Sequence, residues 1–513
     1  MKKIATNFWL GPILSGCLTF IAVCQINFWV SWICYIPLFI SISNDVTKNI
    51  LKKGFVFGMV FSAAAFYWMI PGAERFTGNS VFYGICVFII SSLFVSIYYT
   101  LIIYCIYKLK RQESKSLAVF INGVLFASLF CIADAVLKLI TVEFPWFDIH
   151  GGNGLAANDY AIQPAAIFGV HLLTFIVVVV NYLFAYYLSK KLWRKLYIPV
   201  TVILIYIAGG FLLLQNFDAK PATKQPFKVA ILAENIPPEM KWDNANGNYL
   251  VQKLLNLNRS AVALKPDMAL WSESAIPWTY KKDDDLVNKI LSITAPARIT
   301  HILGINTAYN EKENIILNSA YCILPDGTVT SRYDKQYLLA FIEKPVGGVM
   351  MPFLSIAGFS ATTNKQHGAP LNTPFGKAGM LICNEAALPA AAASMVNQGA
   401  QFLFNISNDG WFNDTYIVRL HFYYARLRAV ESRKDLAINS NNGYSGLIKA
   451  SGIISEMERS DEPFVKMVEI HPNNIITLAG AMPDLFVYTC AAYLFFIALV
   501  IFIEKAKKRA IAK

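Results

Sequence analysis

The chain has 513 residues, of which 56% are hydrophobic and only 15% are charged. A soluble protein carries roughly 25% charged residues, so this composition excludes a surface that faces water on all sides. The net charge of +12 would suit nucleic acid as a partner. The basic residues argue against that partner, because they cluster beside apolar segments rather than on one continuous face.

Apolar segments long enough, or nearly long enough, to cross a membrane recur along the chain. A transmembrane helix needs about 20 mostly apolar residues. Eight stretches approach or reach that length, at residues 8–24, 28–43, 54–72, 81–107, 116–137, 162–188, 196–215 and 484–503. The first two are short, and Gln25-Ile26-Asn27 between them predicts a tight hairpin.

Basic residues mark every second boundary between these spans. The five clusters are Lys2 and Lys3; Lys48, Lys52 and Lys53; Lys108, Lys110, Arg111 and Lys115; Lys190, Lys191, Arg194 and Lys195; and Lys505, Lys507, Lys508, Arg509 and Lys513. The positive-inside rule assigns all of them to the cytoplasm. We therefore predict eight transmembrane helices with both termini in the cytoplasm. Cleavage of a signal peptide before Cys17 is the alternative for the first span, but it would break the charge alternation.

The segment between the last two spans alternates strand-like and helix-like stretches. Strands are predicted at residues 228–233, 268–271, 300–306, 319–324, 379–383, 402–406 and 436–440, with a hairpin around Ser451-Gly452. Helices are predicted at residues 246–263, 386–398 and 416–433. This order is typical of an α/β domain with a mixed sheet. We expect a membrane domain at 1–215, an outer domain at 216–483, and an eighth span with a basic tail at 484–513.

Three polar residues of the outer domain stand just past strand-like segments, namely Glu273, Lys335 and Cys383. Reactive groups in α/β sheets gather at the carboxyl ends of strands. A thiol needs a base to become a thiolate, and a nearby cation lowers its pKa, so Glu and Lys supply what Cys383 needs. Spacing alone favours ordinary structural roles, because such residues occur in most domains. Cys322 and Cys383 would also suit a disulfide in an oxidising compartment.

The sequences that flank these residues are more specific. The segments W-S-E-S-A-I-P-W at 271–278, Y-D-K at 333–335, I-C-N-E at 382–385 and N-I-S-N-D-G-W-F at 405–412 resemble, in order, the motifs of apolipoprotein N-acyltransferases. Those enzymes are membrane-anchored members of the nitrilase superfamily. Further matches are Phe144-Pro145-Trp146, Phe168-Gly169-Val170, Asn181, Asn235-Ile236-Pro237, Ala429-Val430-Glu431 and Asn441-Asn442-Gly443. The resemblance covers most of the chain, including the eight-span layout.

The resemblance implies a polytopic α-helical membrane domain in the bacterial inner membrane and a nitrilase-like αββα sandwich in the periplasm. Glu273 would be the general base and Cys383 the nucleophile, while Lys335 and the N–H group of Asn384 would stabilise the oxyanion. An acyl chain would pass from the sn-1 ester of a phospholipid to Cys383 as a thioester. It would then pass to the α-amine of a diacylglyceryl-cysteine on an apolipoprotein, the final step of lipoprotein maturation.

We expect no cofactor, no metal, no nucleic acid as a partner, and a monomeric chain. The resemblance requires a Cys383 thiol that is free of any disulfide. The six histidines show no spacing typical of metal ligands. His421 would be the partner of Cys383 in an alternative Cys–His dyad, but no sequence feature places it there.

Three more residues are expected near the site by resemblance, namely Glu343, Glu385 and Trp411. Their structural alternatives are a solvated loop charge for Glu343, a first-turn helix carboxylate for Glu385, and ordinary core for Trp411. The sequence departs from the family at Ser272, where proline is usual, and at Asn384, where an aromatic residue is usual. The side chain at position 384 therefore bears on the shape of the acyl site and on lipid preference.

The segment at residues 346–359 is apolar, although it contains Gly347, Gly348 and Pro352. One interpretation is an ordinary packed loop. The other is a flexible lid that dips into the outer leaflet and admits acyl chains, as exposed apolar segments near a site often do. Its position shortly after Lys335 and Glu343 favours the lid.

Two other functions are open on sequence alone. The same three residues would suit a membrane-tethered amidase or nitrile hydrolase with a small soluble substrate, or the chain would be an inactive homologue that binds lipids or lipoproteins. The eight spans and the apolar segment 346–359 count against the first alternative, because a soluble substrate needs neither. The presence of Glu273, Lys335 and Cys383 counts against the second.

Overall fold

The computed structural model describes residues 8–43, 45–72, 81–111, 116–218, 224–240, 242–346, 360–412 and 415–511. Its first part is helical, with α1 at Leu10–Val23, α2 at Phe28–Ser31, α3 at Ile36–Ile42, α4 at Thr47–Phe66, α5 at Val81–Leu109, α6 at Ser116–Thr141, α7 at Ala165–Ser189 and α8 at Tyr197–Asp218. Among the described residues, six helices are long and apolar enough to cross a membrane, namely α4 to α8 and the C-terminal helix. The apolar segments Leu10–Val23 and Phe28–Ile42 are shorter. The prediction of eight spans therefore depends on these two.

A buried asparagine compensates for a break in the second short segment. The helix is interrupted between α2 and α3, which frees backbone groups inside the membrane domain. Asn181 of α7 accepts a hydrogen bond from the N–H of Tyr35 and donates one to the carbonyl of Ser31, both at 2.9 Å. Unsatisfied backbone groups are very unfavourable in lipid, so this side chain makes the broken segment tolerable there.

Helices α4 and α5 approach closely because two glycines face the contact. A Cβ atom added at Gly58 would lie 2.6 Å from the Cα atom of Ser96, and one added at Gly54 would lie 3.0 Å from that of Thr100. Apolar side chains gain little from one another in lipid, so small residues that permit close backbone packing are a common way to join spans.

The described part of residues 216–483, named the outer domain after its predicted location, has fifteen strands and five α-helices, and the last apolar helix follows. Its elements are β1 (Phe227–Ala233), α9 (Gly247–Leu264), β2 (Met268–Leu270), β3 (Ile276–Thr279), α10 (Asp285–Thr294), β4 (Thr300–Asn310), β5 (Ile315–Leu317), β6 (Ser319–Ile323), β7 (Val329–Asp334), β8 (Ser360–Ala361), β9 (Leu371–Thr373), β10 (Gly376–Ile382), α11 (Pro389–Asn397), β11 (Phe402–Asn408), α12 (Tyr416–Ser432), β12 (Leu436–Asn441), β13 (Tyr444–Ile448), β14 (Ile454–Arg459), β15 (Phe464–Ile470), α13 (Leu478–Ala481) and α14 (Leu485–Ile511). Every predicted strand and helix overlaps one of these elements. Those that sequence did not predict include β5, β8 and β9, which are too short to show a period.

Two mixed sheets form the centre of the outer domain. In the first, β1, β2 and β4 are parallel neighbours, and β15, β6 and β7 join them antiparallel. In the second, β10, β11 and β12 are parallel, with β9 on one side and β13 and β14 on the other. The predicted hairpin around Ser451-Gly452 is the antiparallel β13–β14 pair.

The sheets are the inner two layers of a four-layer sandwich. Their facing side chains share one apolar core, which includes Val229 and Leu270 from the first sheet and Met380 and Phe404 from the second. Helices α9 and α10 cover the outer face of the first sheet, and α11 and α12 cover the second. The expectation of an αββα arrangement therefore agrees with the packing of the described residues.

Helix α12 joins the outer domain to the membrane domain. All of its residues are buried except Arg419 and His421, because one side contacts the second sheet and the other contacts the spans. The hydroxyl of Tyr416 donates to the carbonyl of Ala65 at 2.5 Å. Arg426 donates to the carbonyl of Ala156 at 2.7 Å. These contacts hold the second sheet, and the site at its edge, against the membrane domain.

A second polar contact between the domains uses the break in α7. Gly169 has φ +69°, a left-handed conformation that favours glycine, and it interrupts the helix. The N–H of Val170 is thereby released from the helix pattern and donates to Glu431 of α12 at 2.9 Å. Glu431 also pairs with Arg428 at 2.9 Å. The helix break thus ties α7 to α12.

Candidate active site

Glu273 lies three residues beyond the end of β2 and faces the space between the two sheets. One carboxylate oxygen accepts a hydrogen bond from the side chain of Asn318 at 2.7 Å, and the other accepts from the N–H of Asn408 at 3.0 Å. The side chain is 9% exposed. Burial raises the pKa of Glu273, Lys335 lowers it and Glu343 raises it, with a net rise. The carboxylate is therefore held in place and is more basic than an ordinary glutamate.

Lys335 follows the last residue of β7 and lies between two carboxylates. Its ammonium group is 2.9 Å from Glu343 and 3.5 Å from Glu273, and its side chain is 1% exposed. Burial alone would lower the pKa of Lys335, but the charges of Glu343 and Glu273 outweigh burial and raise it. Lys335 therefore remains a cation in a site from which water is largely excluded.

Cys383 occupies a strained turn at the end of β10. Its φ of +54° lies in the left-handed region, which is uncommon for residues other than glycine. The next residues form a 3₁₀ helix at Cys383–Ala387. Burial and the charge of Glu273 raise the pKa of the thiol well above its usual value, against the opposing effect of Lys335. The thiol therefore rests protonated and requires a base before it can act as a nucleophile.

Glu385 connects the backbone segments that carry Cys383 and Lys335. It accepts hydrogen bonds from the N–H groups of Ile382, Gln336 and Tyr337 at 2.7–3.1 Å and from the Tyr333 hydroxyl. The side chain is fully buried. Burial raises its pKa to about 7, against the effect of these donors. It is thus more than a first-turn helix carboxylate, since it joins β10 to the loop after β7.

Glu343 lies on the other side of the ammonium group and is not a solvated loop charge. Besides Lys335, its carboxylate accepts from the side chain of Asn318 at 3.2 Å and from the N–H of Leu339 at 2.8 Å. Its side chain is 14% exposed. Glu343 therefore closes the loop that follows β7 around Lys335.

The structure describes the remaining expected features, namely Asn384, Trp411 and the segment 346–359, to different extents. The side chain of Asn384 is buried and donates to the carbonyl of Tyr337 at 3.0 Å. Trp411 belongs to a short 3₁₀ helix at Gly410–Phe412 in the loop after β11, and its side chain lies outside the described part. The proposed lid at 346–359 falls almost wholly outside the described residues, which stop at 346 and resume at 360.

Sequence reasoning missed the asparagines that orient Glu273. Asn408 belongs to the matched segment at 405–412, so its neighbourhood was a usable signal. Asn318, between β5 and β6, belongs to no recognised motif. Its side chain bridges Glu273 and Glu343, and its carbonyl accepts from the N–H of Lys335 at 2.8 Å. Only the fold reveals that Asn318 contacts three members of the charged cluster.

His421 lines the same small cavity as Cys383, together with Asn384. Its Nδ1 atom lies 2.8 Å from the carboxylate of Asp409. The other oxygen of Asp409 accepts from the hydroxyl of Ser440, also at 2.8 Å. The fold thus places His421 and Cys383 on the wall of one cavity, with the imidazole ring oriented by Asp409. A Cys383–His421 dyad stays a prediction.

An apolar cavity extends from the site into the membrane domain. The small cavity at Cys383 is also lined by Trp68, Trp146 and Phe412, and the same three residues line a second cavity of about 560 Å³. This second cavity runs between α5, α6 and the segment Ala340–Ile342, and its remaining walls are almost entirely apolar. Cys383 therefore lies close to a space that has room for an apolar chain.

Two family models match the chain. Residues 228–465 match the carbon-nitrogen hydrolase model, and residues 15–183 match the model of the apolipoprotein N-acyltransferase N-terminal domain. The fold and the site thus define a nitrilase-like α/β domain attached to a helical membrane domain. The second of these models makes the chain similar to the apolipoprotein N-acyltransferases.

Curated relatives agree over nearly the whole length. The chain is 25% identical over 489 residues to an apolipoprotein N-acyltransferase of Geobacter metallireducens, covering 93% of this chain and 92% of the relative. It is 26% identical over 509 residues to one of Haemophilus ducreyi, covering 95% of both. Among solved structures, Saccharomyces cerevisiae Nit3, a member of branch 10 of the nitrilase superfamily, aligns with 49% of this chain and 93% of its own, at 18% identity and a TM-score of 0.39.

Proposed function

We propose that this protein transfers an acyl chain from a phospholipid to the N-terminal α-amine of the diacylglyceryl-cysteine of an apolipoprotein, through a thioester on Cys383. The observation that carries the proposal is the position of Cys383. The charges of Glu273, Lys335 and Glu343 act on its thiol, and the small cavity that it lines shares three aromatic walls with an apolar cavity of the membrane domain. A small soluble substrate would have no use for the apolar cavity.

In the first half-reaction, Glu273 takes the proton of the Cys383 thiol as sulfur attacks the sn-1 ester carbonyl. The raised pKa values of both groups suit this transfer, because the base is stronger than an ordinary carboxylate and the thiol does not ionise beforehand. The ammonium group of Lys335 and the N–H of Asn384 stabilise the oxyanion. Collapse breaks the ester bond, and the departing lysophospholipid oxygen takes its proton from Glu273.

In the second half-reaction, the lipoprotein amine attacks the thioester on Cys383. Glu273 removes a proton from the incoming nitrogen, and the oxyanion again forms beside Lys335. The intermediate collapses to an amide, and the thiolate of Cys383 regains a proton. A thioester is reactive enough towards an amine for this step to proceed without a cofactor.

The remaining acidic residues have separate roles in this proposal. Glu343 keeps Lys335 charged and oriented, and Glu385 fixes the distance between the Cys383 turn and the Lys335 loop. Trp411 would contact the substrate from the loop after β11. The buried side chain of Asn384, at a position where the family usually has an aromatic residue, would influence the shape of the acyl site and with it lipid preference.

The proposal includes the membrane arrangement predicted from the charge pattern. Residues 1–215 and 484–513 would supply seven spans and the eighth, with both termini cytoplasmic, and residues 216–483 would be the periplasmic catalytic domain in the bacterial inner membrane. The alternation of basic clusters supports it. The hold of α12 on the membrane domain would keep Cys383 at the level of the outer leaflet, where both substrates are embedded. We propose that the protein works as a monomer.

Acyl labelling tests the proposal directly. Purified protein in detergent is incubated with phospholipid labelled in the sn-1 chain, and a hydroxylamine-sensitive label on Cys383 is sought. A diacylated lipopeptide is then added. We expect label on the wild type that moves to the lipopeptide amine, and no label on Cys383→Ser, because an alkoxide forms much less readily than a thiolate.

Cys322→Ala is the matched control. Cys322 is the other cysteine of the outer domain, a free thiol buried in β6, so its replacement should leave labelling intact. Label that persists on Cys383→Ser contradicts the thioester. Label that leaves Cys383 only by hydrolysis, with none on the lipopeptide, contradicts the transferase and favours the amidase class.

A further inference from the structure

A second buried polar cluster lies in the membrane domain, apart from the charged cluster at Glu273. It consists of Asp134 on α6, His150 in the segment between α6 and α7, and His171 on α7. One donor atom from each residue lies within 4.8 Å of the other two. All three side chains are buried, at 6%, 4% and 3% exposure. The reaction proposed above uses none of them.

The imidazole nitrogens of this cluster lack hydrogen-bond partners. Both ring nitrogens of His150 and the Nδ1 atom of His171 are fully buried without a partner in the part of the chain that the structure describes. Buried polar atoms in native proteins are nearly always paired, so three such atoms in one place indicate a missing occupant. The two rings meet edge to face, with their planes at 88° and their centroids 5.2 Å apart.

Hydrogen bonding between the histidines and the aspartate does not account for the arrangement. Although Asp134 lies nearby, neither ring nitrogen of His150 has a hydrogen-bond partner within the part of the chain that the structure describes. An imidazole nitrogen without a partner has a lone pair to donate, and a neutral imidazole is the form that binds a metal ion.

The distances and the donor set suit a small divalent ion. The Nδ1 atom of His150 lies 3.5 Å from the Oδ2 atom of Asp134. Two ligands about 2.0–2.2 Å from a tetrahedral Zn²⁺ are separated by roughly that distance. Two histidines and one carboxylate from three separate segments form a ligand set that zinc and other first-row transition ions accept.

Surrounding groups hold these ligands as outer partners do in metal sites. The Oδ1 atom of Asp134 accepts from the hydroxyl of Tyr98 at 2.8 Å, and Oδ2, the oxygen nearer His150, accepts from the hydroxyl of Thr174 at 3.4 Å. The Nε2 atom of His150 lies 3.9 Å from the carboxylate of Asp148. A carboxylate behind a ligating histidine orients the ring and increases its basicity.

The local charge leaves room for a cation. The charged groups that act on the two histidines are the carboxylates of Asp134 and Asp148 and the cations Lys138 and Arg428. Arg428 is itself paired with Glu431 at 2.9 Å. With Glu431 included, three carboxylates accompany two cations, which gives these five groups a net charge of −1. A bound divalent ion would change that net charge to +1. A bound water is the alternative occupant.

We propose that Asp134, His150 and His171 form a structural site for a divalent transition-metal ion of the zinc type. The ion joins α6 to α7 and to the segment between them. Since α7 is tied to α12 through Val170 and Glu431, the ion stabilises the part of the membrane domain on which the catalytic domain rests. The proposed site departs from the expectation of a chain without metal, which rested on the spacing of the histidines along the sequence.

Metal analysis of the full chain tests the site. The protein is purified in detergent with a tag that contains no histidine, and its metals are measured by mass spectrometry before and after dialysis with Zn²⁺. We expect about one ion per chain in the wild type and a loss of most of it in His150→Gln and His171→Gln. His367→Gln, outside the cluster, is the matched control and should keep the ion.

A spectroscopic arm covers the case in which a variant does not fold. Wild-type protein stripped with a chelator is titrated with Co²⁺, and the expected result is the visible absorption of Co²⁺ bound by nitrogen and oxygen ligands, saturating near one equivalent. Absence of both metal and absorption overturns the proposal in favour of water. Equal metal in the wild type and in folded His150→Gln means an adventitious ion only, which also overturns it.

Discussion

The charged cluster around Lys335 and the histidine cluster around His150 are both buried, yet their polar atoms are satisfied in different ways. In the first, the ammonium group of Lys335 lies between two carboxylates, and asparagine and backbone donors complete both of them. In the second, three imidazole nitrogens have no hydrogen-bond partner among the residues that the structure describes. Polar groups that already have partners form a fixed site for a substrate. Buried polar atoms without partners indicate a bound group, which in our proposal is an ion that joins helices.

The contrast makes the Lys335 cluster the more sensitive of the two to loss of a single charge. Lys335→Met leaves Glu273 and Glu343 buried without their cation. We expect a loss of about 3–5 kcal/mol in the free energy of unfolding and a fall of at least ~10³-fold in acyl-enzyme formation. Urea unfolding and the labelling assay measure the two effects.

The double variant Lys335→Met/Glu343→Gln separates stability from chemistry. It removes one of the uncompensated charges, so most of the lost stability should return while the reaction stays as slow as in Lys335→Met. If the free energy of unfolding of Lys335→Met is no lower than that of metal-free His171→Gln, the Lys335 cluster is not the more sensitive of the two.

Removal of the base gives the next largest effect. Glu273→Gln should lower the rate of acyl-enzyme formation by about 10²–10⁴-fold. In the wild type, the rate should rise with pH through the raised pKa of Glu273, because only the carboxylate accepts the thiol proton. The variant should lack this rise. A wild-type rate that falls with pH over the same range would exclude Glu273 as the base, and Asp409 with His421 would be the next candidate.

Glu385 offers a smaller and mainly structural test. At pH 8, Glu385→Gln places an amide donor against three backbone N–H donors, and we expect a loss of about 1–3 kcal/mol of stability. The raised pKa of Glu385 also predicts that stability depends on pH. Between its unfolded pKa of 4.5 and its folded pKa of about 7, the native carboxyl keeps a proton that the unfolded chain releases.

The contribution of Glu385 to stability therefore falls as pH rises through that window, and Glu385→Gln should remove this slope. Denaturant titrations at several pH values measure it for both proteins. An unchanged slope in the variant would mean that another group titrates there.

The apolar cavity gives the smallest expected effect. Val87 lines it, and Val87→Phe should shorten the acyl chain that the enzyme prefers, with a change of roughly 10-fold in the ratio of long to short donors. Leu93→Phe, on the same helix and 40% exposed, is the control and should leave the ratio unchanged. Competition between labelled phospholipids of different chain length measures the ratio. Equal behaviour of the two variants would remove the cavity from the acyl path.

Much of the site was readable because its motifs are local. Glu273, Lys335 and Cys383 each carry a recognisable flank, and each follows a strand. Asn318 has no such flank, and its contacts with Glu273 and Glu343 arise from residues 45 and 25 positions away. A short sequence motif cannot predict the role of such a side chain, because its contacts depend on which strands become neighbours in the fold.

The membrane domain shows the same division. The lengths of the apolar segments and the positions of the basic clusters predicted where the long spans lie. The reason is that a span in lipid requires a run of apolar residues, and lysine and arginine are enriched in cytoplasmic loops. They did not explain Asn181. Its hydrogen bonds to Tyr35 and Ser31 exist only because α7 packs against the break between α2 and α3.

The sequence by itself determined where the long apolar helices lie, the α/β class of the outer domain and which residues are candidates for its reactive groups, since periodicity, charge and short motifs are properties of neighbouring residues. Only the tertiary structure decided which distant groups meet. It showed that Glu385 joins the Cys383 turn to the Lys335 loop. It also brought His150 and His171 together around Asp134. Burial and long-range contact, which set pKa values and ligand sets, are created by folding.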